Sequence, residues 1–219
     1  MHPDFWLERW QRGETGFHQA AANRWLTHRI DALQLKPGDH VFVPLCGKSQ
    51  DLHFLAGRGY RVTGVELSPV AVEAFFEEHG MTALVRSTVG MRVYESGLLR
   101  IFCGDFFRMT TGLLGHVDAV FDRAALIALP PEMRPAYAAH LGVLLPAGAR
   151  DLLVSFDYEQ SEMAGPPFSV PQAEIRALFG DRFDIAALGR EDILAGEPRF
   201  RERGLTRLAE TCWLLQKRA

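Results

Sequence analysis

The sequence predicts an α/β fold: a Rossmann-like, mostly parallel seven-stranded sheet with helices packed on it and an N-terminal helical lid. Three observations predict it. Residues 40–66 read as strand, tight loop, helix and strand, ending on the carboxylate of Glu66. Short apolar runs then alternate along the chain with helix starts marked by Ser68-Pro69, Pro130-Pro131 and Pro171. Finally, 219 residues with 47% hydrophobic and 23% charged side chains are enough for one full core. The expected organisation is a single domain over 1–219, with 1–36 as lid and helix and 37–219 as the sheet-bearing core.

The chain opens on an amphipathic helix over residues 5–12 carrying Trp6 and Trp10, which Gly13-Glu-Thr-Gly16 breaks. Phe17-His18-Gln19 leads into a second helix to about Leu33, where Trp25, Leu26, Ile30 and Leu33 make one apolar stripe. The aromatic rings either pack this segment on the domain or lie against a ligand's flat or cationic groups. Lys36-Pro-Gly-Asp39 turns the chain into the first strand. Val41-Phe42-Val43 is a run typical of a strand buried on both faces. It breaks at Pro44, and a loop with one glycine, Gly47, follows.

Residues 49–58 form the crossover helix with Leu52 and Leu55 inward, and Gly57 and Gly59 close it. Arg61 to Glu66 is the second strand. In a parallel βαβ unit the first loop and the tip of the second strand share one sheet edge, the edge where nucleotide-like ligands bind. Glu66 there can accept both hydroxyl hydrogens of a ribose, or it is simply a solvated strand end. The loop Pro44-Leu-Cys-Gly47 lacks the G-x-G-x-x-G turn that a pyrophosphate needs. A ligand with a ribose and no pyrophosphate fits better, and S-adenosylmethionine is the commonest of these on such a sheet.

Beyond Glu66, Ser68 caps a helix with Pro69 at its first position, Val72, Phe75 and Phe76 inward, and Gly80 at its end. Residues 82–103 are strand-like, with 91–94 and 99–102 as a hairpin or a third strand. Asp105 follows, either accepting from an adenine amino group or forming an ordinary turn. Residues 117–121 are the fourth strand, running into Asp122-Arg123. An arginine at the carboxyl end of a central strand overlooks the ligand edge; its plain alternative is an ion pair with Asp122. A helix past Tyr137 and Leu141, a fifth strand over 151–158 and a stiff loop at Gly165-Pro-Pro-Phe168 come next. A helix from Pro171 to Gly180 precedes two antiparallel strands at 184–188 and 208–215. Between them stand Arg199, Arg201, Arg203 and Arg207, as a solvated loop or as cations for an anionic substrate.

A net charge of −3 argues against a dedicated nucleic-acid binder. Cys46, Cys103 and Cys212 are odd in number and far apart, which fits reduced thiols and neither a disulfide frame nor a zinc site. The N-terminus shows no basic region followed by an apolar run, and no stretch approaches the ~18 residues of a membrane span. A cytoplasmic monomer acting on a small molecule is expected, with no nucleic-acid or membrane partner and no metal.

Five stretches together resemble the thiopurine S-methyltransferase family, in its bacterial form. They are Phe5-Trp-x3-Trp10 with Gly16-Phe-His-Gln19; Val43-Pro-Leu-Cys-Gly-Lys48; Gly64-Val-Glu-Leu-Ser68; Phe121-Asp-Arg123; and Gly165-Pro-Pro-Phe168 before Val170-Pro171. The likeness runs essentially end to end and implies a class I S-adenosylmethionine-dependent methyltransferase. It implies cofactor contacts at Trp10, Leu45, Glu66 and Arg123, with Arg123 also near the acceptor and Arg199 as a second arginine on the substrate side. Gly47 and Asp105 join the cofactor set from the loop and strand-end argument. Phe17, His18 and Phe168 line an acceptor pocket or pack the lid, and Asp122 is a conceivable proton acceptor. The expected reaction transfers a methyl group from S-adenosylmethionine to the sulfur of a thiopurine or an aromatic or heterocyclic thiol, leaving S-adenosylhomocysteine. Methylation of reduced selenium or tellurium species and non-catalytic cofactor binding are the alternatives; a dinucleotide enzyme is disfavoured by the loop.

Overall fold

The computed structural model describes residues 3–219; Met1 and His2 of the expected lid lie outside them. The chain divides into two compact units, Met1–Phe121 and Asp122–Ala219.

The first unit begins with α1 (Pro3–Gln11) and α2 (Arg24–Arg29), the latter continued by a 3-10 turn over Ile30–Leu33. The expected second helix, running to about Leu33, therefore starts only at Arg24. Asn23 decides this: its side chain caps Trp25 N at 2.9 Å, and its own N–H donates to Asp51 Oδ1 at 2.6 Å. The chain can enter the helix only there, and residues 12–23 become an irregular strap.

β1 (His40–Val43) is buried at every position, as its unbroken apolar run requires. α3 (Gln50–Gly57), capped by Ser49, crosses to β2 (Arg61–Glu66) with Leu52 and Leu55 fully buried. α4 (Pro69–Glu78), capped by Ser68, buries Val72, Phe75 and Phe76. β3 (Leu84–Thr88), β4 (Met91–Ser96) and β5 (Leu99–Cys103) follow. After the short α5 (Thr111–Leu114), β6 (Ala119–Arg123) closes the unit and runs two residues past its boundary. The order in this unit is β3-β4-β5-β2-β1-β6. β1 pairs β2 and β6 in parallel, and β2 pairs β5 in parallel with Glu66 opposite Cys103. The loop after β1 and the tips of β2 and β5 thus meet at one edge.

In the second unit, α6 (Arg134–Leu144) precedes β7 (Arg150–Asp157), α7 (Gln172–Phe179), β8 (Phe183–Asp192), α8 (Pro198–Glu202) and β9 (Ala209–Lys217). β9 lies between β7 and β8 and is antiparallel to both; its pairing with β8 is the one the sequence suggests. Trp213 is buried and donates from Nε1 to Ser155 Oγ at 2.9 Å. A satellite core of Tyr158, Met163, Phe200, Leu205 and Leu208 supports the segment around α8.

The described residues hold nine strands where seven are expected. Residues 82–103 supply the surplus as an antiparallel meander. Gly90 (φ +77°) and Gly97 (φ +58°) each supply the positive φ of a two-residue turn, joining Thr88 to Met91 and Ser96 to Leu99.

Candidate active site

The first unit builds its site on the loop Pro44–Lys48. Leu45 (φ +46°) and Gly47 (φ +53°) both lie in the left-handed region, rare for leucine. The surroundings hold the loop there: Cys46 N donates to Val65 O at 3.0 Å, and Ser49 N to Cys46 O at 3.2 Å. The Cys46 thiol fills the space beside Gly64, where an added Cβ would stand 2.6 Å from Sγ. Burial, reinforced by the Glu66 charge, pushes this thiol well above its usual pKa, so it packs and does not attack.

Glu66 closes β2 with its side chain buried. Oε2 accepts Gly47 N at 2.9 Å and Oε1 accepts Ser68 N at 2.7 Å. Burial raises the carboxyl pKa, while backbone N–H groups of Ser68, Gly47 and Leu67 pull it back. A carboxylate oxygen has two lone-pair sites, so each oxygen retains one for a further donor. That is the acceptor pair a ribose diol needs, now with its orientation fixed by the loop on one side and the α4 N-terminus on the other.

Trp10 covers this loop. It is 7% exposed, and a Cβ on Gly47 would stand 3.1 Å from its Cζ2. Phe17 packs edge-on against both Trp6 and Trp10, at 5.7 and 5.5 Å between centroids. The half-buried His18 follows Phe17, its backbone N donating to Thr15 O. Asp51, missed from the sequence, anchors the strap: it is 2% exposed, with Oδ1 on Asn23 N and Oδ2 on Ser49 Oγ at 2.6 Å. Ser49-x-Asp51 at the helix start is its local signal, but the partner 28 residues upstream has none. At the tip of β5, Gly104 N donates to Glu66 O at 2.8 Å. Asp105 is exposed there and caps Phe107 N with Oδ1 at 2.9 Å, so the turn-forming role is realised. Within this unit Trp10, Leu45, Gly47, Glu66 and Asp105 come to one sheet edge, and the donor set fits a nucleoside with a ribose diol and no pyrophosphate.

In the second unit, Asp122 is a correction. Its carboxyl is fully buried and accepts the Tyr137 hydroxyl at 2.7 Å, so it does not face an acceptor as a base would. β6 is buried on both faces, so Asp122 lies inside the core, and only Arg123 at the strand's end is half-buried. Burial raises the Asp122 pKa to about 6, and burial plus the neighbouring Asp122 raises Asp151 well above its usual value. Ala124, directly after Arg123, takes φ +66° and turns the chain sharply.

Phe168 is half-buried on the loop after β7, its N–H on Ile127 O at 2.7 Å. The arginine cluster disperses. Arg199 bonds Glu197 at 3.1 Å and lies over Phe200, Arg203 reaches Pro166 O at 3.4 Å, and Arg207 lies 3.7 Å from Asp157. No group of three or more His, Cys, Asp or Glu side chains among the described residues could hold a metal ion. No helix among them is long and apolar enough to cross a membrane.

The sequence model of Thiopurine S-methyltransferase matches residues 1–218. Relatives bearing that name are 49% identical in Nitrosospira multiformis, over 100% of this chain and 99% of theirs, and 49% in Azotobacter vinelandii, over 100% of both. Among solved structures, an S-adenosylmethionine-dependent methyltransferase from Anabaena variabilis superposes with a TM-score of 0.66 at 14% identity, covering 99% of this chain and 95% of that one. The 1,6-didemethyltoxoflavin-N1-methyltransferase of Burkholderia thailandensis, solved with S-adenosylhomocysteine, gives 0.65 at 15%, covering 99% and 87%. These distant structures share the Rossmann-like fold.

Proposed function

Because the chain belongs to the thiopurine S-methyltransferase family, we propose that the residues around Glu66 hold S-adenosylmethionine and that Arg123 and Phe168 handle the acceptor thiol. The protein is an S-adenosylmethionine-dependent S-methyltransferase acting on thiopurine-type acceptors. The observation that carries the cofactor assignment is the Glu66 carboxylate, clamped by Gly47 and Ser68 N–H groups with an acceptor site left on each oxygen.

When bound, the cofactor supplies a sulfonium methyl group; a new C–S bond forms to the acceptor sulfur as the old one breaks, its electron pair staying on the departing sulfur. The chain's residues bind and orient. Glu66 takes the ribose hydroxyls, the strained Leu45–Gly47 turn shapes the floor, and Trp10 shields the loop from water. Asp105 joins on the adenine side. Phe17 and His18 close the site from the strap. On the acceptor side Arg123 favours the thiolate by charge, and Phe168 offers an aromatic wall. Arg199, on the same unit as both, is the outlying cation. Aromatic thiols and thiones are partly ionised at neutral pH, so the transfer runs without a dedicated base and without a metal. Asp122 acts in this reading only by fixing the strand that ends in Arg123. The enzyme works as a monomer on a small thiol.

The test is a methyl-transfer assay with a thiopurine, an aromatic thiol, a reduced selenium species and a catechol, quantifying S-adenosylhomocysteine with and without EDTA. Product from thiopurine or thiol, unchanged by EDTA, supports the reading. Turnover of the catechol alone, or only with added metal, overturns it.

A further inference from the structure

Resting on the acceptor reading above, we infer that Arg134 is a positioning residue that sets acceptor selectivity, holding the Phe168 ring and its loop as a rigid wall for aromatic thiolates. Arg134 is the first residue of α6 and is 1% exposed, an uncommon place for a guanidinium. Its donors reach outward along two segments. Nε donates to Leu129 O at 2.9 Å, on the stretch that follows Arg123. Nη1 donates to Ser169 O at 3.1 Å, next to Phe168, and to both oxygens of Glu174 at 2.7 and 2.8 Å. Nη2 is sealed from solvent with no hydrogen-bond partner. The guanidinium carbon lies over the Phe168 ring, 5.7 Å from its centroid, within cation–π range.

A residue that merely anchored α6 would satisfy its donors and would have no need of a ring. Arg134 instead leaves both N–H groups of Nη2 unbonded and presents a planar cation to a half-buried phenylalanine. The loop around that ring is tethered on every side. Phe168 N bonds Ile127 O, Ser169 N bonds Gln160 Oε1 at 3.0 Å, Ser169 Oγ bonds Tyr158 O at 2.8 Å, and Tyr158 Oη bonds Pro167 O at 2.7 Å. Gly165 packs under the ring, where an added Cβ would stand 2.4 Å from Cδ1. A partly exposed aromatic on so fixed a loop is a prebuilt surface. The cation against its π system has a further consequence. An aromatic ring is negative on its faces and repels an anionic acceptor ring; a guanidinium over one face draws that density away. The wall therefore accepts an aromatic thiolate better than a neutral phenylalanine alone would, and a small aliphatic thiolate gains little from it.

The experiment measures kcat/KM for an aromatic thiol and for a small aliphatic thiol at saturating S-adenosylmethionine, with melting temperature and S-adenosylhomocysteine affinity by calorimetry. Wild type, R134K, E174Q, F168L and the double variant R134K/F168L are compared. The expected result is a fall of at least fivefold in the aromatic-to-aliphatic ratio in R134K and in F168L, mainly through KM. The double variant falls no further, E174Q stays within twofold of wild type, and S-adenosylhomocysteine affinity is unchanged throughout. If R134K does not fold, F168L and E174Q decide: an unchanged ratio in F168L, or a fivefold fall in E174Q, overturns the inference. Equal losses on both acceptors in R134K, or additive losses in the double variant, also overturn it. Absence of any wild-type turnover of aromatic thiols overturns the acceptor reading itself, and this inference with it.

Discussion

Replacing Glu66 with Gln tests the centre of the cofactor site. The two carboxylate oxygens accept Gly47 N at 2.9 Å and Ser68 N at 2.7 Å. A glutamine has one oxygen, so its amide nitrogen must face one of those two N–H groups. The loss is one hydrogen bond to a charged acceptor, about 1.5–3 kcal/mol, partly offset because a buried charge disappears. A net destabilisation of about 1–2 kcal/mol corresponds to a melting point lower by roughly 2–8 °C for a chain of this size. For the ligand, one of two hydroxyl acceptors becomes a donor of the wrong polarity. That contact is worth about 1.5–3 kcal/mol, or roughly 10- to 150-fold in affinity. Calorimetric titration with S-adenosylhomocysteine and a thermal melt read the two effects separately. The pH dependence gives a third reading. Burial raises the folded-state pKa of Glu66, so above the unfolded value the folded chain retains the proton longer. Stability therefore falls as pH rises through that window, and this part of the slope vanishes in Glu66→Gln. A variant that melts lower yet binds S-adenosylhomocysteine within twofold of wild type would refute the reasoning, leaving Glu66 as a structural clamp.

Gly47→Ala should lose about 1–2 kcal/mol from the left-handed φ of +53° and crowd Trp10, weakening S-adenosylhomocysteine binding. Gly38→Ala, with φ +90° and nothing within 4 Å of the added carbon, is the control whose binding should not change. Arg123→Met should lower acceptor kcat/KM about 10- to 150-fold, the loss of one charge-assisted contact of ~1.5–3 kcal/mol; initial rates at saturating methyl donor check it, and a change under twofold would contradict the assigned role. Burial raises the Asp122 pKa from 3.8 to about 6 on folding, so wild-type stability should fall as pH rises from about 4 to 6. Asp151→Asn removes the neighbouring carboxyl, and denaturant titrations at pH 5 and pH 8 should show a shallower decline and a higher stability at pH 8 than wild type. Equal destabilisation at both pH values would count against this.

Local signals carried far in this chain. The apolar run of β1, the cap at Ser68, Pro69 at the first turn and the single-glycine loop each act over a few residues, and the structure realises all of them. Once a parallel βαβ unit is recognised, the placement of Gly47 and Glu66 at one edge follows from strand direction alone. The acceptor side was less legible. Asp122 and Arg123 are adjacent, and only the folded core separates them, with Asp122 buried against Tyr137 and Arg123 half-buried at the strand end. The arginines at 199–207 form a basic cluster in the sequence, yet Arg199, Arg203 and Arg207 each take a different partner in the fold.

The sequence by itself determined the α/β pattern, the nucleoside-type loop, the acidic strand tip and the family likeness, because each is written in neighbouring residues whose backbone preferences are local. Tertiary structure alone decided the Asn23–Asp51 anchor, the buried Asp122–Tyr137 bond and the grip of Arg134 on Ser169 and Glu174, and of the two readings open for 82–103 it took the hairpin and extended it to a three-stranded meander. Apart from the meander, these join residues 15 to 40 positions apart. A polar side chain withdrawn from water must find a partner inside the fold, and which partner it finds depends on packing that no short window of sequence contains.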